Sequence, residues 1–223
     1  MKSILATAIA TLSLMFAAIA EEGPQIGQPA PDFTLPNLEG ENVTLSDMVS
    51  AKRVQIEVDF ASEEVAVNKT EGRYVVLEWI NYDCPWVVKH YSQGHMQALQ
   101  NRYMEKGVVW LAMNSSAPGK QGHFEAEEGK KLAAERNSTP TAILLDPDGV
   151  VGRKYRARAT PHMFVIAPDR TLLYMGAIDD NPSRSPDDIA TAQNYVAAAL
   201  DAALAGEEIE TTVTRPYGCS VKY

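Results

Sequence analysis

The chain has 223 residues and a formal net charge of −9, with no run of basic residues. That excludes a nucleic-acid-binding role built on phosphate neutralisation. Its length and its 45% hydrophobic content suit a single domain with a substantial core.

In chain order, the first 20 residues come first. They carry one charge, Lys2, then apolar and small residues from Ile4 to Ile19, and an Ala18-Ile19-Ala20 end. This is the pattern of a secretory signal peptide cleaved before Glu21, and it predicts a periplasmic or extracellular protein. The alternative is an uncleaved anchor, for which the stretch is short against the ~20 residues that a membrane span requires. Cleavage takes the charge from −9 to −10 and leaves no stable membrane span. The predicted division is a signal peptide at 1–20, one α/β domain at 21–206, and a tail at 207–223 that carries Cys219.

Residues 32–35 and 42–45 flank the turn-like Asn37-Leu38-Glu39-Gly40, which predicts a hairpin. Residues 54–60 alternate apolar and polar, as a half-exposed edge or antiparallel strand does, and 61–72 read as polar loop. Residues 74–80 are an almost unbroken apolar run, the pattern of a strand buried on both faces. After Cys84 the period changes. Val88, Tyr91, His95, Met96 and Leu99 recur at helical spacing, so one helix is predicted to about Lys106. A second apolar strand at 108–113 completes a βαβ unit, which favours parallel pairing. Then follow a polar loop at 114–123, a helix at 125–136 and a strand at 142–145 closed by Asp146-Pro147-Asp148-Gly149. A short helix within 150–158, a hairpin of 163–166 with 171–174, and a last helix at 187–204 complete the domain.

Cys84 is one of only two cysteines and stands where the strand runs into the helix, with Pro85 at a helix-starting position. Unpaired backbone N–H groups and the positive end of the helix dipole lie there. Both stabilise a thiolate, the reactive form of cysteine. The neighbouring Asp83 opposes this. On balance the Cys84 thiol is predicted to be more acidic than the unperturbed value of about 8.5.

The order of elements resembles the thioredoxin superfamily, and within it the peroxiredoxin-like branch named for alkyl hydroperoxide reductase and thiol-specific antioxidant proteins. Four segments carry the likeness: Ile26-Gly-Gln-Pro-Ala-Pro-Asp-Phe33, Trp79-Ile-Asn-Tyr-Asp-Cys84-Pro85, Leu145-Asp-Pro-Asp-Gly149, and Ala159-Thr-Pro161 with the hairpin ending at Gly176. The resemblance spans residues 26–205. It implies a thioredoxin-like three-layer α/β fold, a central mixed sheet flanked by helices, with an N-terminal β-hairpin extension.

Carried over by position, Cys84-Pro85-Trp86-Val87 falls where the family has Cys-x-x-Cys. Cys84 takes the attacking place and Val87 replaces the second cysteine, so no local disulfide can form. Trp79 falls at the aromatic position before the motif. Thr160-Pro161 matches the loop whose proline is cis in the family, and there the preceding residue's backbone pairs with an extended partner. Trp79, Pro85, Trp86, Thr160 and Pro161 are therefore the implied substrate-binding residues, and Trp86 is expected as an exposed lip beside the sulfur. Leu77 and Asn81 occupy the Pro and Thr/Ser positions of the peroxiredoxin pattern Pro-x-x-x-Thr/Ser-x-x-Cys, so its peroxide-positioning hydroxyl is missing.

Three readings of Cys219 stay open: a resolving cysteine in a reversible disulfide with Cys84, a permanent staple to Cys84, or a free thiol. Closing so long a loop would gain roughly 5 kcal/mol on the chain-entropy model. His90, His95, His123 and His162 lack metal-ligand spacing, so no metal is expected. His162 beside the proline is either a site contact or a surface histidine. The implied enzyme is a thiol oxidoreductase without a bound organic cofactor. It would act on a disulfide-bearing protein or a small peroxide and be reset by an external thiol reductant. The rival is a non-catalytic thioredoxin-like binding module stapled by Cys84–Cys219.

Overall fold

A computed structural model describes residues 23–50, 53–59, 64–70 and 72–223, with side chains described outside 51–71. The signal peptide predicted at 1–20 falls outside the described residues. The apolar run before Cys84 becomes β5 (Val75–Trp79), and all five of its residues are buried. It pairs in parallel with β6 (Val109–Asn114) and antiparallel with β8 (His162–Ile166). β7 (Ala142–Leu145) lies parallel beyond β6, and β9 (Leu172–Gly176) antiparallel beyond β8, giving the sheet order β7-β6-β5-β8-β9. A central strand with no exposed face selects apolar residues at nearly every position, Glu78 excepted, which is why its sequence lacks alternation.

Two clusters form on the two faces. One joins Val76 and Ile80 to α2 (Pro85–Ser92), α3 (His95–Glu105) and α6 (Tyr195–Ala205) through Tyr91, Met96, Tyr103, Val196 and Leu200. Leu132 and Ala133 of α4 (Ala126–Glu135) pack on its edge. The other joins Val75, Leu77 and Trp79 to Phe33, Leu45, Val49, Val151 and Tyr155, from the N-terminal hairpin, α1 (Leu45–Ser50) and α5 (Val150–Lys154) with the residue after it. This is the three-layer thioredoxin-like architecture. Leu77 is fully buried, and truncating such a side chain to alanine costs about 2–5 kcal/mol.

The predicted N-terminal hairpin is β1 (Thr34–Pro36) against β2 (Asn42–Thr44). Three expectations need correction. Residues 61–72 are not simply loop: β4 (Glu64–Thr70) pairs antiparallel with β3 (Arg53–Asp59) in a sheet of two strands. The single helix after Cys84 is two. Gly94 takes a left-handed conformation, φ 78°, that an α-helix cannot pass through, so the chain stops at Ser92 and restarts at His95. The last helix also splits, into a 3₁₀ turn (Pro186–Thr191) and α6, because Asn194 caps a new start by accepting the Ala197 N–H at 2.8 Å.

Candidate active site

The turn between β5 and α2 aims Cys84. Asn81 Oδ1 accepts the Asp83 N–H at 2.9 Å, and the Asn81 carbonyl accepts the Cys84 N–H at 2.9 Å. The Asn81 amide nitrogen donates to the Gln121 carbonyl at 3.2 Å, tying the turn to the next loop. Asparagine thus builds the turn at the position where the peroxiredoxin pattern carries a hydroxyl. Cys84 is the N-cap of α2, in extended conformation, and its carbonyl accepts the Val88 N–H at 2.9 Å. Pro85 occupies the first helical position, where a missing N–H costs nothing.

Around the sulfur the structure gathers distant segments. Thr160 precedes the cis Pro161, and the Cys84 thiol donates to its carbonyl at 3.1 Å. From the tail, the Cys219 N–H points at the Cys84 sulfur at 3.4 Å. The Thr160 N–H donates to the Cys219 carbonyl at 2.9 Å, an isolated antiparallel bridge. The chain's own C-terminal tail therefore lies along the edge where an extended partner was expected. Further backbone bonds anchor it. Met175 N–H donates to Thr212 at 3.0 Å, Thr214 N–H to Met175 at 3.1 Å, and Ala117 N–H to Lys222 at 2.8 Å. The Tyr223 hydroxyl donates to Ala157 at 2.7 Å.

Both cysteines are free thiols, and their surroundings act on them in opposite ways. At Cys84, burial pushes the pKa up. Side-chain hydrogen bonds from Cys219 and Thr160, and the backbone N–H groups of Cys219 and Val87, more than offset it, so the thiol lies below its ordinary value. At Cys219, burial and the bond it makes to Cys84 push the pKa up to about 11, with Lys222 opposing. Of the two thiols, Cys84 therefore gives up its proton more readily.

The remaining sequence candidates are placed as follows. Pro85 is exposed at the mouth. Trp86 is half-buried rather than an open lip: its indole N–H donates to Pro182 at 2.7 Å, and Arg184 sits 5.7 Å over its ring. Trp79 is completely buried in the cluster on the other sheet face, 5.4 Å from the Tyr155 ring and 5.2 Å from Phe164, and it donates to Ser115 at 3.0 Å. It braces the strand and cannot touch a substrate, because its side chain points away from the Cys84 cluster. His162 is a buried residue against Phe164, not a surface one. Burial, then the charge of Arg158, push its pKa to about 3, which keeps the ring neutral. Among the described residues no three His, Cys, Asp or Glu side chains converge as a metal site would require.

The sequence reading missed four residues near the site. Glu78 lies buried on β5 among three donors, Trp110 at 2.7 Å, Tyr91 at 3.0 Å and Gln100 at 3.2 Å. Burial raises it to about 7 despite them. A lone carboxylate inside an apolar strand was the available signal. Lys89, Asp179 and Tyr217 form a second group beside the tail. Only the fold brings them together. An open groove of about 710 Å³ runs alongside, lined by Arg158, Asp180, Arg215, Tyr217, Gly218 and Ser220 among others.

Comparison with known proteins agrees with this architecture. An uncharacterized conserved protein from Geobacillus kaustophilus aligns at 28% identity and TM-score 0.66, over 89% of this chain and 92% of that one. A hypothetical protein from Sinorhizobium meliloti 1021 aligns at 24% identity and TM-score 0.65, over 91% and 96%. A peroxidoxin from Mycobacterium tuberculosis shares the fold at 21% identity and TM-score 0.51, over 80% and 97%. No curated protein matches the chain. The AhpC/TSA family model matches residues 49–175, more than half of the sequence. The chain belongs to the AhpC/TSA family, and that membership supports a thiol-dependent redox function.

Proposed function

We propose that the protein is an exported thiol peroxidase in which Cys84 attacks and Cys219 of the same chain resolves. The observation that carries this reading is the Cys219 N–H held 3.4 Å from the Cys84 sulfur by the bridge to Thr160. In the first step the Cys84 thiolate attacks the peroxide oxygen. The O–O bond breaks, an alcohol or water leaves with a proton, and Cys84 becomes a sulfenic acid. The Cys219 sulfur then displaces water, forming the Cys84–Cys219 disulfide. Two electrons from an external dithiol return both thiols, and the dithiol becomes a disulfide. Small oxidants are favoured because the docked tail covers the Thr160 edge. Export follows from residues 1–20, whose removal would leave Glu21 as the N-terminus.

The test is stopped-flow oxidation of the reduced protein with hydrogen peroxide and an organic hydroperoxide, counting free thiols. The expected result is the loss of two thiols per peroxide, far faster than a free cysteine reacts. Cys219→Ser should stop at one sulfenic acid that dimedone captures. Oxidation no faster than that of free cysteine removes the peroxidase reading. One observation favours a second reading, thiol–disulfide exchange: the Thr160 edge does hold an extended segment, namely the tail. Rapid reduction of insulin disulfides, with sluggish peroxide turnover, would select it.

A further inference from the structure

The tail is fixed near the site by a buried group that the reaction itself does not use. The Tyr217 hydroxyl donates to Asp179 Oδ1, a carboxylate oxygen that also accepts the Asn181 N–H at 3.0 Å. The second oxygen of Asp179 faces the Lys89 ammonium at 3.6 Å, and that ammonium donates to the Asn181 carbonyl at 2.6 Å. Lys89 also lies 5.5 Å over the Tyr217 ring, and His90 Nε2 is 3.3 Å from the Tyr217 hydroxyl. Asp179 is 2% exposed and Lys89 1%. Burial first, then the charge of Lys89, push His90 down to about 3, so Lys89 is the one cation of this group.

The spacing ties this group to the sulfurs. Lys89 is on α2, the helix that Cys84 caps. Tyr217 is two residues before Cys219, and the residue between them is Gly218. Gly218 has φ 128°, and a Cβ there would fall 2.1 Å from the Thr160 carbonyl oxygen. One helix thus holds Cys84 at its start and grips the tail one turn further on. The short, sterically fixed link to Cys219 leaves the second sulfur little freedom.

We propose that Tyr217, Asp179 and Lys89 form a latch that positions Cys219 against Cys84 and keeps the Thr160 edge closed to extended partners. All three are positioning residues. None touches a reacting sulfur. The proposal deepens the resolving role of Cys219 and rests on it. It adds that the cover over Cys84 cannot open at this point without breaking the hydrogen bond between the Tyr217 phenol and the buried Asp179 carboxylate.

The experiment compares Tyr217→Phe with Tyr223→Phe. Tyr217→Phe removes the hydroxyl that meets Asp179 and His90, and Tyr223→Phe the one that meets Ala157, but only the first belongs to the latch. Two quantities are read on the full chain. One is the effective concentration of Cys219 toward Cys84, from equilibration with reduced and oxidised glutathione. The other is the alkylation rate of Cys84 by iodoacetamide, located by peptide mass. A hydrogen bond to a charged acceptor is worth roughly tenfold or more in such an equilibrium. Tyr217→Phe should therefore lower the effective concentration and raise the alkylation rate, each about tenfold, while Tyr223→Phe changes both much less. Equal effects in the two variants, or none in Tyr217→Phe, would overturn the latch. Should Tyr217→Phe fold poorly, Asp179→Asn removes the charged acceptor and must move both quantities the same way. If oxidised glutathione leaves Cys84 unreactive, the resolving role falls, whereas the alkylation comparison still decides whether the latch closes the site.

Discussion

Two buried acids, six residues apart in sequence, respond to burial in opposite ways. Glu78 lies under α2 and α3 and receives three hydrogen bonds, yet it is raised to about 7. Cys84 is also buried, yet it falls below its ordinary value. The difference is in what covers them. Glu78 is roofed by packed helices, and no donor there fully replaces lost water. Cys84 is roofed by the tail, whose Cys219 supplies a thiol and a backbone N–H to the sulfur itself. Under packed helices the desolvation cost of the charged form prevails. Under a strap that donates hydrogen bonds to the sulfur, the bonds prevail instead.

The largest effect should come from removing the sulfur. Cys84→Ser should abolish oxidant consumption, because it removes the thiol whose pKa is lowered, while the burial that raises Cys219 remains. Multiple-turnover peroxide assays check this, and residual turnover above a few per cent would mean that Cys219 can act alone. The next effect is structural. Gly218→Ala puts a methyl 2.1 Å from the Thr160 carbonyl oxygen at a left-handed φ, a strain of about 1–3 kcal/mol. The bridge to Thr160 should break. Cys84 should then alkylate faster, and internal disulfide formation should slow. Unchanged rates would show that the tail does not shield Cys84.

Glu78 tests the other half of the contrast. Its folded pKa of about 7 lies above the unfolded value of 4.5, so the folded state binds the proton more tightly. Its stabilising contribution is complete below pH 4.5 and is lost as pH rises through about 7. Each tenfold difference in proton affinity between the two states corresponds to about 1.4 kcal/mol, so full ionisation forfeits a few kcal/mol. Urea midpoints from pH 5 to 8 should decline in the wild type relative to Glu78→Gln, in which the slope from this group is absent. Parallel profiles would mean that Glu78 is already ionised in the folded protein.

Much of this was readable in the sequence. The apolar run at 74–80, the change of period at Cys84 and the Asp-Pro-Asp-Gly turn gave the central sheet and the start of α2, because burial on both faces and helix capping leave local signatures. The Gly94 break was less visible, since glycine inside a helical pattern reads as tolerable until its φ is known. Trp79 was misplaced because motif position does not say which sheet face a strand residue occupies. Register does, and Trp79 pairs with His162 and Met113 while its ring faces the opposite cluster. The Lys89–Asp179–Tyr217 group was hidden for a simpler reason. Its members are 90 and 38 positions apart, from Lys89 to Asp179 and from Asp179 to Tyr217, and no local pattern links them.

The smallest effect bears most directly on why the tail and the interior differ. If donors from the tail hold Cys84 below its ordinary pKa, Cys219→Ser should move it. That substitution keeps the backbone N–H at the sulfur but exchanges the thiol donor for a hydroxyl. A serine hydroxyl can still donate, so the midpoint of the alkylation–pH curve should rise only modestly. Truncation after Tyr217 removes both donors together with the cover. Burial, which raises the pKa, is relieved at the same time as the bonds that lower it, and the midpoint should return to the ordinary thiol range near 8.5. A truncated chain with the same low midpoint as the full chain would place the acidifying influence in the helix N-terminus alone. Cys84 would then owe its reactivity to α2, and the tail would serve only as a cover.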